Sequence, residues 1–319
     1  MLRITLKSLS LLVVSALVGS TGIFLLLRLV GGDAATVIAG TKSPPEAIEA
    51  LRESLGLNRP LFEQYFSWLG GVLTGNLGES YAARYDIGQE IARRLEPTLI
   101  LTLGTLLVSI PIALLIGLYA AMNYRKLRGL AVDATMQVGV AIPAFFIALL
   151  LVLLFAVQLG WLPAAGYVSI FEDPIANLRY MTLPIATLSV GVTATFTRFV
   201  RSSMIEQLNE DYMRTARAKG HTRVSAALRH GLRNAAVPLV AISALQFAAL
   251  ITGVIVVENI FVIPGLGRLL LTAVLGREVI VVQSVMLVIM LMILVLNVST
   301  DVIYGALDPR IRQRRLIRA

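Results

Sequence analysis

The chain has 319 residues, of which 57% are hydrophobic and 15% charged, with a mean hydropathy of +0.80 and a net charge of +9. Because a soluble core of ordinary proportions cannot hide so much apolar surface, the composition excludes a water-soluble globular protein and indicates a membrane protein. The absence of cysteine excludes disulfides, thiolate metal sites and a cysteine nucleophile.

Six apolar stretches are long enough for transmembrane helices, which need roughly 20 residues each. They cover residues 9–30, 97–122, 134–158, 182–203, 237–260 and 280–304. The first is longer than the apolar core of a signal peptide and is not followed by a small-x-small cleavage site, so we expect it to be retained. We therefore predict an all-α membrane protein with a first helix at 1–30, an external helical loop at 31–96, a five-helix core at 97–304 that contains an inner loop at 204–236, and a basic tail at 305–319.

The external loop contains signals for three short helices. Ser43–Glu46 reads as a capping box with proline at the first helical position, and Gly56 ends that helix. Asn58 is predicted to cap a second helix rich in aromatic residues, which suits a membrane surface. Asp86 starts a third helix, which is predicted to end at Pro97. The loop is either a structural cap or a docking surface for an external protein.

Polar side chains inside the apolar spans are candidates for a path across the membrane, because such groups usually face a bundle interior or water. Hydrogen bonding between helices explains each single amide equally well. Prolines are predicted to interrupt four spans, which suits either a conformational change or simple packing kinks. The polar residues are Gln137, Gln158, Gln246, Gln283, Asn297 and Asp301, and the prolines are Pro111, Pro143, Pro184 and Pro238.

The loop between predicted spans four and five is basic and helical in pattern. Gly220 can end one helix in a left-handed conformation and Thr222 can cap the next, so the segment reads as helix, turn, helix. In the second helix we expect one apolar face and one basic face. The apolar face consists of Val224, Ala227, Leu228 and Gly231, and the basic face of Arg223, Arg229, His230 and Arg233.

The charges are distributed unevenly over the two sides of the predicted membrane protein. With the N-terminus inside, the inner segments hold 18 of the 28 basic residues and 6 of the 19 acidic ones, a net charge of +12 that leaves −3 outside. This is the positive-inside pattern, and it places both termini in the cytoplasm. Because no motif of a known nucleic-acid-binding module accompanies the basic clusters, we do not expect nucleic-acid binding.

Several enzyme classes are excluded by missing motifs. The chain has no Gly-Lys pair, so it lacks a phosphate-binding loop of the Gly-x-x-x-x-Gly-Lys type. Its two histidines, His221 and His230, do not have the spacing of a zinc protease, and we expect no metal site. Neither a Gly-x-Ser-x-Gly elbow nor a histidine inside a span is present to support hydrolysis in the membrane.

Several different short motifs are spaced along nearly the whole chain. In the first half they are Leu55–Leu61 with Tyr65, Gly75–Ser80, Pro97-Thr98, Ile142–Phe145, Trp161–Pro163 and Gly166. In the second half they are Thr215–Gly220, Arg229-His230, Leu232–Ala235, Pro238, Glu258 with Phe261, Pro264–Arg268 and Asp308–Arg310. Together they resemble permease subunits of bacterial ATP-binding-cassette importers, specifically the oligopeptide and dipeptide permease family.

The sequence departs from the family pattern at a few positions. Thr215-Ala216-Arg217 stands where importers in general have Glu-Ala-Ala, and this change resembles the peptide branch. Asn76 stands where the family usually has aspartate, and Glu278-Val279-Ile280 replaces a common Asp-Tyr-Pro. These last two differences fall on the predicted outer surface.

The resemblance implies alternating access without chemistry in this chain, which would be neither an enzyme nor a cofactor-binding protein. A homologous second permease would complete the pore in the bacterial inner membrane, two ATPase subunits would bind ATP and Mg, and an external binding protein would deliver peptide. The implied coupling residues are Tyr212, Arg214, Thr215, Ala216, Arg217, Lys219, Gly220, Arg229 and His230. The path residues are Gln137, Pro143, Gln246, Asn297 and Asp301, and the external docking residues are Asn58, Arg59, Pro60, Tyr65, Pro264, Gly265 and Gly267.

Other functions stay open at this point. Similar systems carry nickel chelates, glutathione and opines. An ion-coupled secondary transporter would need a buried ionisable relay, yet the acids within or near the spans, Asp133, Glu258 and Asp301, all lie toward span ends. A membrane-anchored scaffold or enzyme would explain the outer loop but not the structured basic inner loop.

Overall fold

The computed structural model describes residues 2–30, 34–39, 43–54 and 56–307, and within these ranges the side chains of residues 2–8, 30, 34, 37, 38, 233–241, 244, 245 and 301–307 are outside the description. The regular elements of the described chain are helices, apart from one isolated pairing of Glu79 with Asp86. The helices are α1 (Leu2–Val30), α2 (Ala34–Ala39), α3 (Pro45–Ser54), α4 (Leu61–Leu73), α5 (Ile87–Met122), α6 (Leu127–Ala141), α7 (Ala144–Leu151), α8 (Pro174–Asn209), α9 (Asp211–Ala218), α10 (Arg223–Ala226), α11 (Leu232–Ile260), α12 (Leu266–Leu275) and α13 (Val279–Leu307). Two π-helical segments, Val152–Gln158 and Ala227–Gly231, extend α7 and α10. The all-α fold class is confirmed.

The chain forms two compact units. The first unit contains residues 1–96 and 264–295, and the second contains residues 97–263 and 296–319. The predicted core at 97–304 is therefore shared between the two units. The predicted basic tail lies outside the described residues from position 308 onward.

Four helices are long and apolar enough to cross a membrane within the described residues. They are Leu9–Leu29 of α1, Ile87–Met122, Pro174–Asn209 and Val279–Thr300. These four correspond to predicted spans one, two, four and six. The fifth predicted span falls in α11, where the described side chains give a shorter apolar helix at Gln246–Ile260. The count of six spans stays a prediction.

The third predicted span, 134–158, is not one straight helix. Helix α6 ends at Ala141, and α7 with its π-helical extension runs to Gln158 at an angle of 98° to it. The break lies at Ile142-Pro143, where Ile142 is extended with φ −75° and ψ 123°. Proline lacks an N–H and disfavours helical backbone at the residue before it, which explains the break.

The other prolines do not interrupt their helices. Helix α5 continues through Pro97 and Pro111, and α8 continues through Pro184. Pro238 falls within the range of α11. The predicted end of a short helix at Pro97 is therefore wrong, although Asp86 caps the start of α5 by accepting a hydrogen bond from Gln89 N at 2.8 Å. A proline removes one backbone hydrogen bond, and neighbouring helices can hold the rest of the helix in place.

Two predicted caps in the external loop do not form. Ser43 donates its hydroxyl to Ala39 O, so it does not close a capping box at α3. Asn58 donates from Nδ2 to Glu49 Oε1 at 2.9 Å, and Pro60 occupies the cap position of α4. Gly56 does end α3 in the left-handed region as predicted, with φ +67°.

Helix α8 is the centre of the second unit. It packs against α6, α7 and α11 and buries residues along most of its length, including Leu188, Phe196 and Val200. Small residues permit the close approach of neighbouring helices, because a Cβ at Gly117 would lie 2.6 Å from Val200 Cβ and one at Gly139 would lie 3.2 Å from Ala194 Cβ. The loop that follows α8 is therefore attached to a helix that is packed on several sides.

In the first unit, α4 packs against α1. The Tyr65 hydroxyl lies 2.9 Å from Ser20 Oγ and accepts a hydrogen bond from Thr21 Oγ1 at 3.1 Å. The Phe24 ring meets Tyr65 edge-on at 5.5 Å and stacks on Trp68 at 6.2 Å between ring centroids. These hydrogen bonds fix the rotation of α4 about its own axis. Some of its aromatic side chains therefore face α1, and the others are exposed.

Candidate functional site

The basic inner loop forms a helix that ends in a tight turn. After α9, Gly220 has φ +91°, its N–H donates to Arg217 O at 3.0 Å, and His221 N donates to Ala216 O at 3.2 Å. This pair of bonds is a Schellman motif, which a left-handed glycine permits. Thr222 then caps α10 by accepting from Ser225 N at 3.2 Å. The predicted stop at Gly220 and cap at Thr222 are confirmed.

One face of α9 is anchored in the core. Met213 is 2% exposed and Ala216 7% exposed, and both belong to the cluster that includes Met204 and Val200 of α8. The Tyr212 hydroxyl donates to Gln207 Oε1 at 2.7 Å. A Cβ added at Gly231 would lie 3.0 Å from Met204 Cε, so a larger residue there would crowd this contact. Since α9 is held by packing and by the turn at Gly220, we expect it to move together with the end of α8.

The opposite face of the loop is exposed and basic. Arg214, Thr215, Arg217 and Lys219 are exposed on and just after α9. Arg214 pairs with Asp211 at 3.4 Å, with both side chains largely in solvent, so the pair contributes little stability. Arg229 and His230 are also exposed, in the π-helical turn. Among the predicted coupling residues, Ala216 is thus buried, Tyr212 is partly buried and the others are exposed, whereas the buried anchor Met213 was not predicted.

The predicted apolar face of the second helix is wrong in half of its members. Ala227 and Gly231 are buried, whereas Val224 and Leu228 are 49% and 48% exposed. The buried position beside Ala227 is instead taken by Ala226. The π-helical turn, which sequence periodicity does not reveal, changes the rotation between these positions. Val224 and Leu228 therefore add an apolar patch beside the basic residues, as interface cores do within a polar rim.

The two histidines lie close together although they are nine positions apart. The rings of His221 and His230 meet edge-on with 5.8 Å between centroids. His221 Nδ1 lies 3.2 Å from Ser225 Oγ. Within the described residues, no group of three or more histidine, cysteine, aspartate or glutamate side chains could hold a metal ion. The side chain of Arg233, predicted for this basic face, is outside the description.

The predicted path residues lie on or next to helices α6, α7, α11 and α13. Gln137 and Pro143 are exposed on α6 and at the start of α7, and Gln246 is half-buried in α11. Asn297 is half-buried, and its Oδ1 has no hydrogen-bond partner among the described residues. Asp301 belongs to α13, and its side chain is outside the description. No described hydrogen bond joins any two of them.

The predicted docking residues fall on two parts of the first unit. Asn58, Arg59 and Pro60 are exposed at the start of α4, while Tyr65 turns toward α1. At the other part, Pro264 is exposed, and Gly265 and Gly267 are buried at the start of α12.

A buried serine holds the connection that leads into α5. Ser80 is 1% exposed, its hydroxyl donates to Glu278, and its N–H donates to Tyr85 O at 3.0 Å. Burial, followed by the charge of Glu278, raises the pKa of Tyr85, and the hydrogen bond with Ser80 offsets part of that rise. Ser284 Oγ donates to Leu77 O at 3.2 Å. These contacts tie the loop to α13.

A buried carboxylate joins α5 and α11 in the second unit. Glu258 is 0% exposed and accepts a hydrogen bond from Thr98 Oγ1 at 2.6 Å on Oε1. Its carbonyl accepts from Ile263 N at 2.9 Å, at the turn that follows α11. The sequence does not reveal this pairing, because Thr98 and Glu258 are 160 positions apart.

Comparison with known proteins gives matches over nearly the whole chain. Two family models match: "Binding-protein-dependent transport system inner membrane component" over residues 113–313, and the N-terminal part of such membrane components over residues 1–102. A Brucella abortus (strain 2308) protein whose name assigns it to a peptide transport system as a permease is 39% identical over 289 residues, which cover 91% of this chain and 92% of the relative.

Two further relatives extend over almost the full length. A Sinorhizobium fredii protein named for permease function in peptide ABC transport is 39% identical and covers 95% of this chain and 96% of its own. The glutathione transport system permease protein GsiC of Escherichia coli is 38% identical and covers 98% of this chain and 100% of its own.

Proposed function

The chain belongs to the family of binding-protein-dependent transport system inner membrane components, and from this premise we propose that it forms half of the translocation path of an ATP-driven peptide importer. It is a permease subunit of the peptide and glutathione type. A homologous second permease completes the path, two ATP-binding-cassette ATPases bind ATP with Mg, and an external binding protein delivers substrate.

The anchored loop between α8 and α11 is the observation that carries the proposal. Met213 and Ala216 bury one face of α9, and Gly220 and Thr222 fix the turn that follows. Such an element transmits displacement because it cannot rotate freely against α8. The exposed arginines and the Val224–Leu228 patch give an ATPase subunit both a charged and an apolar surface to bind.

Alternating access follows if the ATPases have two arrangements. When they close on ATP, the two loops of the permease pair move together, and the helices attached to them change which side of the membrane the path faces. The ATPases supply the chemical energy. This chain contributes the rigid connection from α9 into α8.

Peptide is the proposed substrate because two of the similar proteins carry names that assign them to peptide transport. Glutathione is the second candidate substrate, because the glutathione permease GsiC is similar to this chain at nearly the same sequence identity as the peptide permeases. Nickel chelates and opine-like molecules are further alternatives within the family. Polar side chains such as Gln137 and Asn297 would provide hydrogen bonds to an amide-bearing substrate along the path.

The test compares two variants of the full chain in membrane vesicles that contain its second permease and cognate ATPase subunits. Replacing both Val224 and Leu228 by serine removes the exposed apolar patch, and we expect ATPase binding to weaken and ATP-driven uptake of a labelled dipeptide to fall at least tenfold. Phe171→Ser is the matched control, since Phe171 is 87% exposed in the connection before α8 and is predicted to lie outside.

Uptake that persists in liposomes containing this chain alone, driven by a proton or sodium gradient, would identify a secondary transporter instead. Full ATP-driven uptake by the double serine variant would show that the patch does not bind the ATPase. ATP-driven uptake of glutathione, but not of dipeptides, would assign the chain to the second candidate substrate.

A further inference from the structure

A cavity lies in the second unit, away from the inner loop. Its volume is about 430 Å³, and its lining includes Trp161, Leu162, Pro163, Asp173, Arg179 and Tyr180. It is formed by the connection after Gln158 and by the start of α8, between predicted spans three and four. The predicted topology puts this connection outside. The volume falls within the range of small-molecule sites.

Hydrogen bonds and packing hold the walls of the cavity in place. Trp161 N donates to Phe155 O at 2.9 Å, and the two rings lie 6.0 Å apart. Asn177, which is 3% exposed, donates from Nδ2 to Val168 O at 2.7 Å. Gly166 has φ +114°, and a Cβ there would lie 3.0 Å from the Tyr180 ring. Preformed walls reduce the entropy lost when a ligand binds.

The cavity carries one cation and one anion at separate positions. Asp173 Oδ1 caps α8 by accepting from Ile175 N at 2.9 Å and Ala176 N at 3.0 Å, while Oδ2 has no hydrogen bond among the described residues. Arg179 is exposed to the cavity and forms no ion pair within the described part of the chain. The two residues are six positions apart on α8, about 9 Å along the axis. Their charges therefore do not neutralise each other directly.

We propose that this cavity binds a short zwitterionic peptide, with the carboxylate on Arg179 and the ammonium group on Asp173 Oδ2. An extended dipeptide spans about 7 Å, which is comparable with the roughly 9 Å between the two residues along the axis of α8. The planar guanidinium of Arg179 can hold a carboxylate through two parallel hydrogen bonds. Trp161, Leu162 and Tyr180 provide apolar and aromatic surface for the peptide's side chains. This inference rests on the proposed peptide function and gives the outer side of the chain a substrate site of its own.

The test uses the full chain in lipid nanodiscs with Trp68→Phe, so that Trp161 is the one remaining tryptophan of the two in the sequence. Alanyl-alanine should change the Trp161 fluorescence saturably. Arg179→Gln should raise the Kd for alanyl-alanine at least about tenfold, and it should have no effect on the Kd for the C-amidated dipeptide. Asp173→Asn keeps a side chain that caps a helix well, so it removes the charge and spares the cap. Asp173→Asn should raise the Kd for alanyl-alanine as much as Arg179→Gln does, and it should not change the Kd for the N-acetylated dipeptide.

Arg93→Gln and Glu172→Gln are the matched controls, since both side chains are exposed and lie outside the lining. They should leave the Kd unchanged. If Arg179→Gln weakened the binding of alanyl-alanine and of the C-amidated dipeptide equally, Arg179 would have a structural role and the proposal would be overturned. The proposal would also be overturned if Arg179→Gln weakened the docking of the external binding protein while alanyl-alanine binding stayed unchanged, because a protein carboxylate would then be the occupant. If the complex imports peptide with ATP but alanyl-alanine causes no saturable change in Trp161 fluorescence, the proposed site is wrong while the proposed function stands.

Discussion

Gly220 is the residue whose conformation most directly shapes the inner loop. Its φ of +91° belongs to the left-handed region, and an added Cβ would meet nothing within 4 Å. The requirement for glycine therefore comes from the backbone and not from crowding. A substitution there tests the conformation alone.

Gly220→Val should uncouple ATP hydrolysis from transport. A β-branched residue in a left-handed backbone costs at least about 1–2 kcal/mol, so the Schellman turn should open and α9 should lose its orientation. Membrane insertion should persist, because no apolar span is changed. Substrate-stimulated ATP hydrolysis and uptake by the assembled complex measure the effect.

Asparagine tolerates the left-handed region, so Gly220→Asn is the control and should retain most activity. If uptake and the stimulation of ATP hydrolysis by substrate were both normal in the valine variant, the turn would have no part in coupling.

Gln137 and Asn297 are expected to face the water-filled path rather than lipid. An amide in hydrocarbon is penalised, and Asn297 Oδ1 has no hydrogen-bond partner among the described residues. Single cysteines at these positions can be read without background, because the chain has no cysteine. Water-soluble thiol reagents should label both positions in the complex, and trapping nucleotide should change the labelling.

Val138→Cys is the matched control for position 137, since Val138 is 56% exposed and lies about 100° further around α6. It should stay unlabelled if it faces lipid. Labelling at 138 with none at 137 or 297 would mean that the amides bond between helices.

At the scale of elements, α9 owes its position to a single buried face. Met213→Ala removes a large side chain from the contact with α8, and such changes cost about 2–5 kcal/mol in a packed core. Trypsin should then cut faster at the exposed Arg214, Arg217 and Lys219 of the isolated chain. The rate of proteolysis in nanodiscs measures this.

Val224→Ala is the matched change for that experiment, because Val224 is about half exposed and its truncation leaves no cavity. Its proteolysis should match that of the unmodified chain. If Met213→Ala were cut no faster than Val224→Ala, the loop would be held by something other than this packing.

The prolines show how elements depend on their surroundings. Pro143 coincides with a 98° bend, yet α5 passes through Pro97 and Pro111 without a break. Next to Pro97, Thr98 is held by Glu258, and Thr102 Oγ1 donates back to Thr98 O at 2.6 Å. The contact with Glu258 holds α5 against α11 beside the proline, and a neighbouring helix can keep α5 in place although it lacks one backbone hydrogen bond.

At the scale of the whole molecule, charge predicts the orientation in the membrane. The inner segments carry +12 and the outer ones −3, so both ends should be cytoplasmic. An alkaline phosphatase fusion after residue 80 should be active, and a fluorescent protein fused after residue 319 should fluoresce. An inactive phosphatase after residue 80, together with an external signal after residue 319, would invert the topology.

The class of the protein, four helices that are long and apolar enough to cross a membrane, and the turn at Gly220 can all be predicted from the sequence, because long apolar runs and a left-handed glycine depend on local interactions. The sequence also contains the motifs that identify the family. The buried face of α10, the continuation of α5 through Pro97, the contact of Thr98 with Glu258 and the cavity shared by Asp173 and Trp161 are visible only in the folded chain. These outcomes depend on contacts between distant segments, and a sequence pattern read along one helix holds no information about the partner that another helix provides.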